Sequence, residues 1–417
     1  MTEQMNVPKL RFGEFEGDWN TEKLGAYSKH ITYGLTVRPK FVEDGIPLIS
    51  AREITSGEVK YSQAPQISLS EFNNLSDKAK PIVGDLFLSK TGTIGFSAQN
   101  TTSQPVAITQ NIAVIRIDDA NVLSPNYVLH YFKTNKFYRS AVSKVNQSTI
   151  MDLQLGDIKR LPIPLPPNFL EQQKIVSFLS KVDEKIALLN EKKDKLTEYK
   201  KGVMQQLFNG KWEEQDGQLT FIPPTLRFKA DDGSEHPDWE EAQLGEFVEI
   251  NSGYSPSKFE MKASGVPYFK VEQLNNSTKY QEVTPTYIAD FDKTIPAGSI
   301  IFPKRGASIL LNKVRILVHD SFMDTNLMTL TAKPELNNEF LFYFLVKEDL
   351  SKIADTTSIP QINNKHIIPY PLILPSIAEQ LQIANFLSAI DKKIDLAQSE
   401  HTKAKEWKKG LLQQMFV

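Results

Sequence analysis

The chain has 417 residues, 48 Lys and Arg against 50 Asp and Glu, 40% apolar and 24% charged residues, and no cysteine. These values exclude wholesale disorder, a disulfide scaffold, thiolate zinc sites and cysteine catalysis, and a net charge of −2 excludes a uniformly basic nucleic-acid coat. No apolar run approaches the ~20 residues of a membrane span, and the first residues hold no apolar leader, so a cytoplasmic protein without membrane contact is expected.

In chain order, strands are expected at Ile46–Ser50, Leu86–Lys90 and Ile112–Ile117, followed by helices over Pro125–Lys133 and 136–144. A Pro-rich stop, Leu161–Pro166, precedes one long helix ending near Phe208. Residues 213–241 hold nine acids against Arg227 and Lys229 and read as an acidic linker. The same succession then returns: strands at Tyr268–Val271, Ile300–Lys304 and Leu327–Ala332, helices over Asn338–Lys347 and 348–354, a stop at Tyr370–Pro375, and a second long helix ending near Phe416.

The repetition is written in the residues themselves. Residues 171–208 and 379–416 align at a constant offset of 208, with 18 identities in 38 ungapped positions. Weaker matches precede them: Leu10-Arg11-Phe12 with Leu226-Arg227-Phe228, Asp18-Trp19 with Asp238-Trp239, and Gly84–Gly92 with Gly298–Gly306. Along the first long helix Leu179, Val182, Ile186, Leu189, Lys193, Leu196, Lys200, Val203 and Leu207 advance by steps of three and four. The second repeats the register with Leu387, Ile390, Ile394, Ala397, His401, Ala404, Lys408, Leu411 and Met415. This is a coiled-coil seam with polar positions that set register and partner. A helix of 38 residues would span ~57 Å. Two copies in one chain suggest antiparallel pairing with each other. The expected fold is therefore α+β: two globular domains joined by two long antiparallel coiled-coil helices in an internal pseudo-two-fold repeat.

Catalytic signatures are missing. The chain has no Walker A pattern, no HExxH and no methyltransferase Asn/Asp-Pro-Pro-aromatic motif, and its six histidines lack ligand spacing. A binding protein is favoured over an enzyme.

Two diverged heads, two near-identical helices opening on Glu-Gln and closing on Lys-Lys-Gly…Gln-Gln…Phe, the stop before each helix, and the block Gly84–Gly95 (GDLFLSKTGTIG) together resemble the specificity subunit of type I restriction-modification systems, over essentially the whole chain. The resemblance implies target recognition domain 1 at 1–167, a central helix at 168–210, target recognition domain 2 at 211–376 with the acidic linker 211–241, and a distal helix at 377–417. It implies that each domain reads one half of a split double-stranded DNA site. The helices would set the spacer and dock methyltransferase subunits, with restriction/translocase subunits completing the complex. S-adenosylmethionine, ATP and Mg²⁺ would serve that complex through the partners, none of them bound by this chain. The second half departs from the block: Lys304-Arg305-Gly306-Ala307-Ser308 replaces the Thr-Gly-Thr loop, and Val271-Glu272 replaces Ala51-Arg52.

Phosphates are held by Lys, Arg, Ser and Thr, and base edges by Arg, Lys, Asn and Gln. Loops combining both kinds nominate Arg52, Lys90, Thr91, Thr93, Gln110, Asn111, Gln147 and Ser148 in the first half. In the second they nominate Lys270, Lys304, Arg305, Ser308, Asn326, Thr357, Ser358 and Gln361. Singly each is as well explained by a turn or a solvated surface; at matched positions of two repeats the binding reading leads. Tyr33, Tyr254 and Tyr280 are expected in the core, with base stacking as the alternative. Helix pairing and subunit docking fall to Leu179, Val182, Ile186, Leu189, Leu196, Val203, Leu207, Leu387, Ile390, Ile394, Leu411 and Met415. A coiled-coil interaction scaffold without DNA specificity is the competing reading, and a self-sufficient nuclease or methyltransferase a third.

Overall fold

A computed structural model describes residues 6–145, 150–215, 218–289, 292–355 and 359–417. The chain divides into two compact units, 1–190 with 398–417 and 191–397. Each takes part of both long helices, Phe169–Leu207 and Ile377–Met415.

In unit 1 an antiparallel sheet runs in the order His30–Tyr33, Ile112–Arg116, Leu86–Ser89, Ser97–Gln99. A second sheet places Ile46–Ile49 between Gln66–Ile67 and Ala107–Ile108, the last pair parallel. Leu86–Ser89 is buried at every position, as a run of apolar residues sandwiched on both faces demands. The helices Pro125–Phe132 and Asn135–Val142 start on Ser124 and Thr134, whose hydroxyls accept the amides of Tyr127 and Phe137. The Pro-rich stop is a strand: Pro162–Leu165 pairs antiparallel with Asn20–Lys23, an edge position that tolerates proline's missing N–H.

Unit 2 repeats the plan. Its main sheet runs Val248–Ser252, Leu327–Ala332, Ile300–Pro303, Arg315–Leu317, Tyr280–Gln281. Its second contains Met261–Lys262, Tyr287–Ile288, Val266–Phe269 and Phe322–Met323. Pro371–Leu374 pairs with Glu240–Gln243. The stretch read as an acidic linker is structured: Lys211–Gln215 and Gln218–Ile222 form a hairpin, and Trp239 joins the core.

The ends of the long helices are parts of the cores. In unit 1, Leu411, Leu412, Met415 and Phe416 pack with Trp19, Tyr127 and Tyr131, and Leu10 donates its amide to Gln414 O at 2.9 Å. In unit 2, Val203, Met204, Leu207 and Phe208 pack with Phe340 and Phe344, and Leu226 donates to Gln206 O at 3.4 Å. The Glu-Gln that opens each helix is a rivet. Buried Glu171 accepts Arg11 Nε and Nη2, both at 2.8 Å, and Trp19 Nε1 at 3.3 Å. Gln172 accepts the amide of Ser124 at 3.0 Å, tying the helix to the start of Pro125–Phe132. Unit 2 reproduces this with Glu379 on Arg227 and Trp239, and Gln380 on the amide of Asn337. In both units the glutamate raises its arginine's pKa through these hydrogen bonds.

The two helices contact each other, antiparallel, within each unit. In unit 1 the Phe178 and Trp407 rings lie 6.3 Å apart, and Lys408 Nζ is ion-paired with Asp183. In unit 2 the equivalent pair is Lys200 Nζ with Asp391 at 2.5 Å. Seam residues Lys200 and Lys408 are thus each neutralised by an aspartate of the opposite helix, which pins register as well as pairing.

Candidate nucleic-acid interface

In each unit one three-bond clamp gathers a subset of the nominated residues, Lys90, Thr91 and Asn111 in unit 1 and Lys304, Arg305, Asn326 and Gln361 in unit 2. In unit 1, Lys90 N donates to Asn111 O at 2.9 Å, Leu153 N to Lys90 O at 2.8 Å, and Gly92 N to Met151 O at 2.8 Å. In unit 2, Lys304 N donates to Asn326 O at 2.8 Å, Ile362 N to Lys304 O at 2.9 Å, and Gly306 N to Pro360 O at 2.9 Å. The turn after the strand needs a left-handed residue, and glycine supplies it at φ 77° and φ 87°. The clamp therefore aligns Lys90 with Lys304, Thr91 with Arg305, Asn111 with Asn326, and Asp152 with Gln361.

The side chains on this common frame differ. Lys90 is 8% exposed; its Nζ donates to Asp152 Oδ1 at 2.8 Å and Thr91 Oγ1 at 3.2 Å, and lies 5.8 Å from the Tyr33 ring centre. Thr91 Oγ1 donates to the same Asp152 oxygen at 2.6 Å. Burial pushes the Asp152 carboxyl up, but the hydrogen bonds from Lys90 and Thr91 outweigh it and hold the pKa below the usual range. In unit 2 the place of Asp152 is taken by neutral Gln361. Lys304 Nζ donates to Ser252 Oγ at 2.9 Å, and burial lowers its pKa, with Asp324 partly opposing. Arg305 is exposed. The clamp of unit 1 is thus internally neutralised, whereas that of unit 2 keeps an outward cation.

The remaining nominated residues divide. Thr93 and Gln110 are exposed, and Asn111, Asn326, Ser308 and Gln361 half-buried. Arg52 sits exposed on the short turn Ala51–Ile54, whose amide at position 52 is capped by Ser50 Oγ at 3.3 Å. Lys270, half-buried, begins the corresponding turn Val271–Asn275. These two lie off the clamp's hydrogen bonds. Gln147, Ser148, Thr357 and Ser358 lie outside the described residues. Tyr33, Tyr254 and Tyr280 are not core residues, being 40%, 40% and 49% exposed, because each ends or borders an edge strand. Sequence reasoning misses Asp152 and Ser252, and it places Tyr33 in the core rather than beside Lys90. The signal for Asp152 was the ungapped match of Ile150-Met151-Asp152-Leu153 with Ile359-Pro360-Gln361-Ile362. Among the described residues no three His, Cys, Asp or Glu side chains gather to hold a metal ion.

The seam residues Leu179, Val182, Leu189, Val203, Leu207, Leu387, Ile390, Leu411 and Met415 are buried, with Ile186, Leu196 and Ile394 half-buried. Leu179, Val182, Ile186, Leu411 and Met415 pack in the core of unit 1, and Val203, Leu207, Leu387, Ile390 and Ile394 in that of unit 2. Apolar side chains left outward on the helices occur at matched positions: Leu188 and Trp407 in unit 1, Leu396 and Tyr199 in unit 2.

Comparison with known proteins places this geometry. A sequence-family model described as "Type I restriction modification DNA specificity domain" matches residues 40–198 and 237–406. The protein assigned to Methanocaldococcus jannaschii as the MjaX type I restriction enzyme specificity subunit is 26% identical over 427 residues, 98% of this chain and 95% of that one. The MjaVIII specificity subunit of the same organism is 23% identical over 426 residues, 95% of this chain and 91% of that one. The type I restriction-modification S subunit from M. genitalium shares the fold with a TM-score of 0.55 at 17% identity, over 99% of both chains. A chain solved in work on complex assembly and conformational transition of the type I R-M system has a TM-score of 0.60 at 16% identity, covering 97% of this chain and 98% of that one.

Proposed function

Because the chain belongs to the type I restriction-modification DNA specificity family, as a non-catalytic subunit of a methyltransferase and restriction complex, we propose that its two units each read one half of an asymmetric, bipartite DNA site. The observation that carries this reading is the twice-built clamp: one backbone frame presenting Lys90, Thr91 and Asp152 in unit 1, and Lys304, Arg305 and Gln361 in unit 2. A shared frame with different donors and acceptors is what two different half-site sequences require, since base edges are told apart by their hydrogen-bonding pattern. Arg305, exposed and carrying a guanidinium fork, suits a guanine edge or a phosphate. Near-neutral charge overall leaves little counterion release to this chain alone, so partner subunits supply most phosphate contacts.

Those partners are methyltransferase subunits, docked on the outward apolar residues Leu188 and Trp407 of unit 1 and Leu396 and Tyr199 of unit 2, and restriction/translocase subunits. The partners bring S-adenosylmethionine, ATP and Mg²⁺.

Adenine-methylation mapping by single-molecule sequencing tests the reading, in cells carrying this chain with and without a cognate methyltransferase subunit. A split, asymmetric motif appearing only with both supports it. Exchanging residues 242–370 for those of a relative should then change one half of the motif. A soluble complex that creates no motif would favour a scaffold, and a change in both halves would refute independent reading.

A further inference from the structure

Residues 306–312 set unit 2 apart from unit 1. In unit 1 the chain leaves Gly92, buries Ile94 and turns back at Gly95, whose amide reaches Ser89 O at 3.1 Å. In unit 2, Gly306 is followed by the turn Ala307–Leu311. Ile309 is buried like Ile94, but Leu310 and Leu311 follow it and are 63% and 64% exposed. The turn is closed by Asn312 in the left-handed region, φ 41°, a conformation uncommon for a residue with a side chain. Two side-chain bonds hold it there: Nδ2 donates to Val346 O at 3.1 Å, and Oδ1 accepts from Leu350 N at 3.3 Å. The two leucines are therefore presented by a locked turn, on the segment that begins at the clamp residue Gly306.

We propose that Leu310 and Leu311 form an apolar wedge that enters the DNA and parts a base step in the half-site of unit 2 alone, which rests on the half-site reading above. Leucine is among the side chains that partly unstack a step and kink the duplex. Exposed Arg305, with Lys304 and half-buried Lys313, flanks the pair with cations suited to the phosphates on either side. The area argues against a protein partner. Two leucines about two-thirds exposed offer roughly 230 Å², below the few hundred Å² of a typical functional patch and far below the ~800 Å² per partner of a stable interface.

The full chain, co-purified with its methyltransferase partners, is bound to duplexes of the mapped site carrying 2-aminopurine at successive positions. Apart from the methylated adenines, which a methyltransferase itself extrudes from the stack, a fluorescence rise is expected at one step, in the half-site whose sequence changes when residues 242–370 are exchanged. Leu310→Ser/Leu311→Ser should remove that rise and weaken site-specific binding about tenfold. It should leave the salt dependence of binding unchanged, because no phosphate contact is lost. Melting and methylation of the other half-site report that the variant is folded. No rise away from the methylated adenines, with a wild-type complex that still methylates a split site, overturns the wedge and leaves half-site reading standing. A variant that fails to assemble with the methyltransferase, with the wild-type site undistorted, overturns it in favour of a protein contact. A complex that methylates no split site overturns both.

Discussion

Removing one ring just beyond the second long helix should strongly destabilise unit 1. Phe416 is 6% exposed and lies 5.2 Å from Tyr127, 5.7 Å from Tyr131 and 6.4 Å from Trp19, centre to centre. Phe416→Ala leaves a ring-sized void among three large aromatics that cannot close over it, so the loss should sit in the range of about 3–5 kcal/mol seen for buried phenylalanine. Domain stabilities are ~5–15 kcal/mol, so a large fraction of the unit's stability goes with one residue next to the chain's end. Hydrogen exchange followed by mass spectrometry on the full chain reads this directly. Amides of Pro125–Phe132 should exchange roughly 10²–10³-fold faster, and those of Asn338–Glu348 in unit 2 at their original rate. Phe208→Ala, which empties the matched place against Phe340 at 5.4 Å, should do the reverse. If either variant loosened both units equally, or neither, the assignment of each helix end to its own core would be wrong.

His130 should make unit 1 acid-sensitive. Burial, reinforced by the charges of Lys408 and Lys133, lowers its pKa to about 3, so it is neutral when folded and protonates near 6.5 when unfolded. Its contribution is complete above pH 6.5 and is lost as pH falls toward 3, amounting to about 2 kcal/mol at pH 5; urea titrations of His130→Asn should show a flatter pH profile in that window. Glu379→Gln presents an NH₂ group to the buried donors Arg227 and Trp239, and should lower the unfolding midpoint of unit 2 by the equivalent of about 3 kcal/mol. Arg305→Ala should weaken DNA binding by the assembled complex and relax one half-site, whereas Asp152→Asn, by freeing Lys90, should steepen the salt dependence. Leu396→Glu, exposed on its helix, should reduce methyltransferase co-purification with the melting temperature unchanged.

The duplication, the two long helices and their seam were legible from residues alone, because heptad spacing and an ungapped repeat are local, periodic signals. Leu179, Val182 and Leu189 are buried where the spacing put them, and the α+β content followed from short apolar runs between polar turns. The family was legible in Glu-Gln and Lys-Lys-Gly…Gln-Gln…Phe, although what those residues do was not. Glu171 and Glu379 are rivets for an arginine and a tryptophan some 140–160 residues away, and the closing Phe completes a core. Such long-range pairings depend on closure of the tertiary fold and leave no spacing to read. The same holds at the clamp. The residue types of Lys90 and Lys304 were visible in the sequence, but only the fold brings Asp152 to one and Ser252 to the other, and so decides which cation is neutralised. Sequence by itself determined that this chain is one plan written twice. Tertiary structure decided how the two copies differ in what they present, because charge balance and exposure arise from neighbours that the linear order keeps apart.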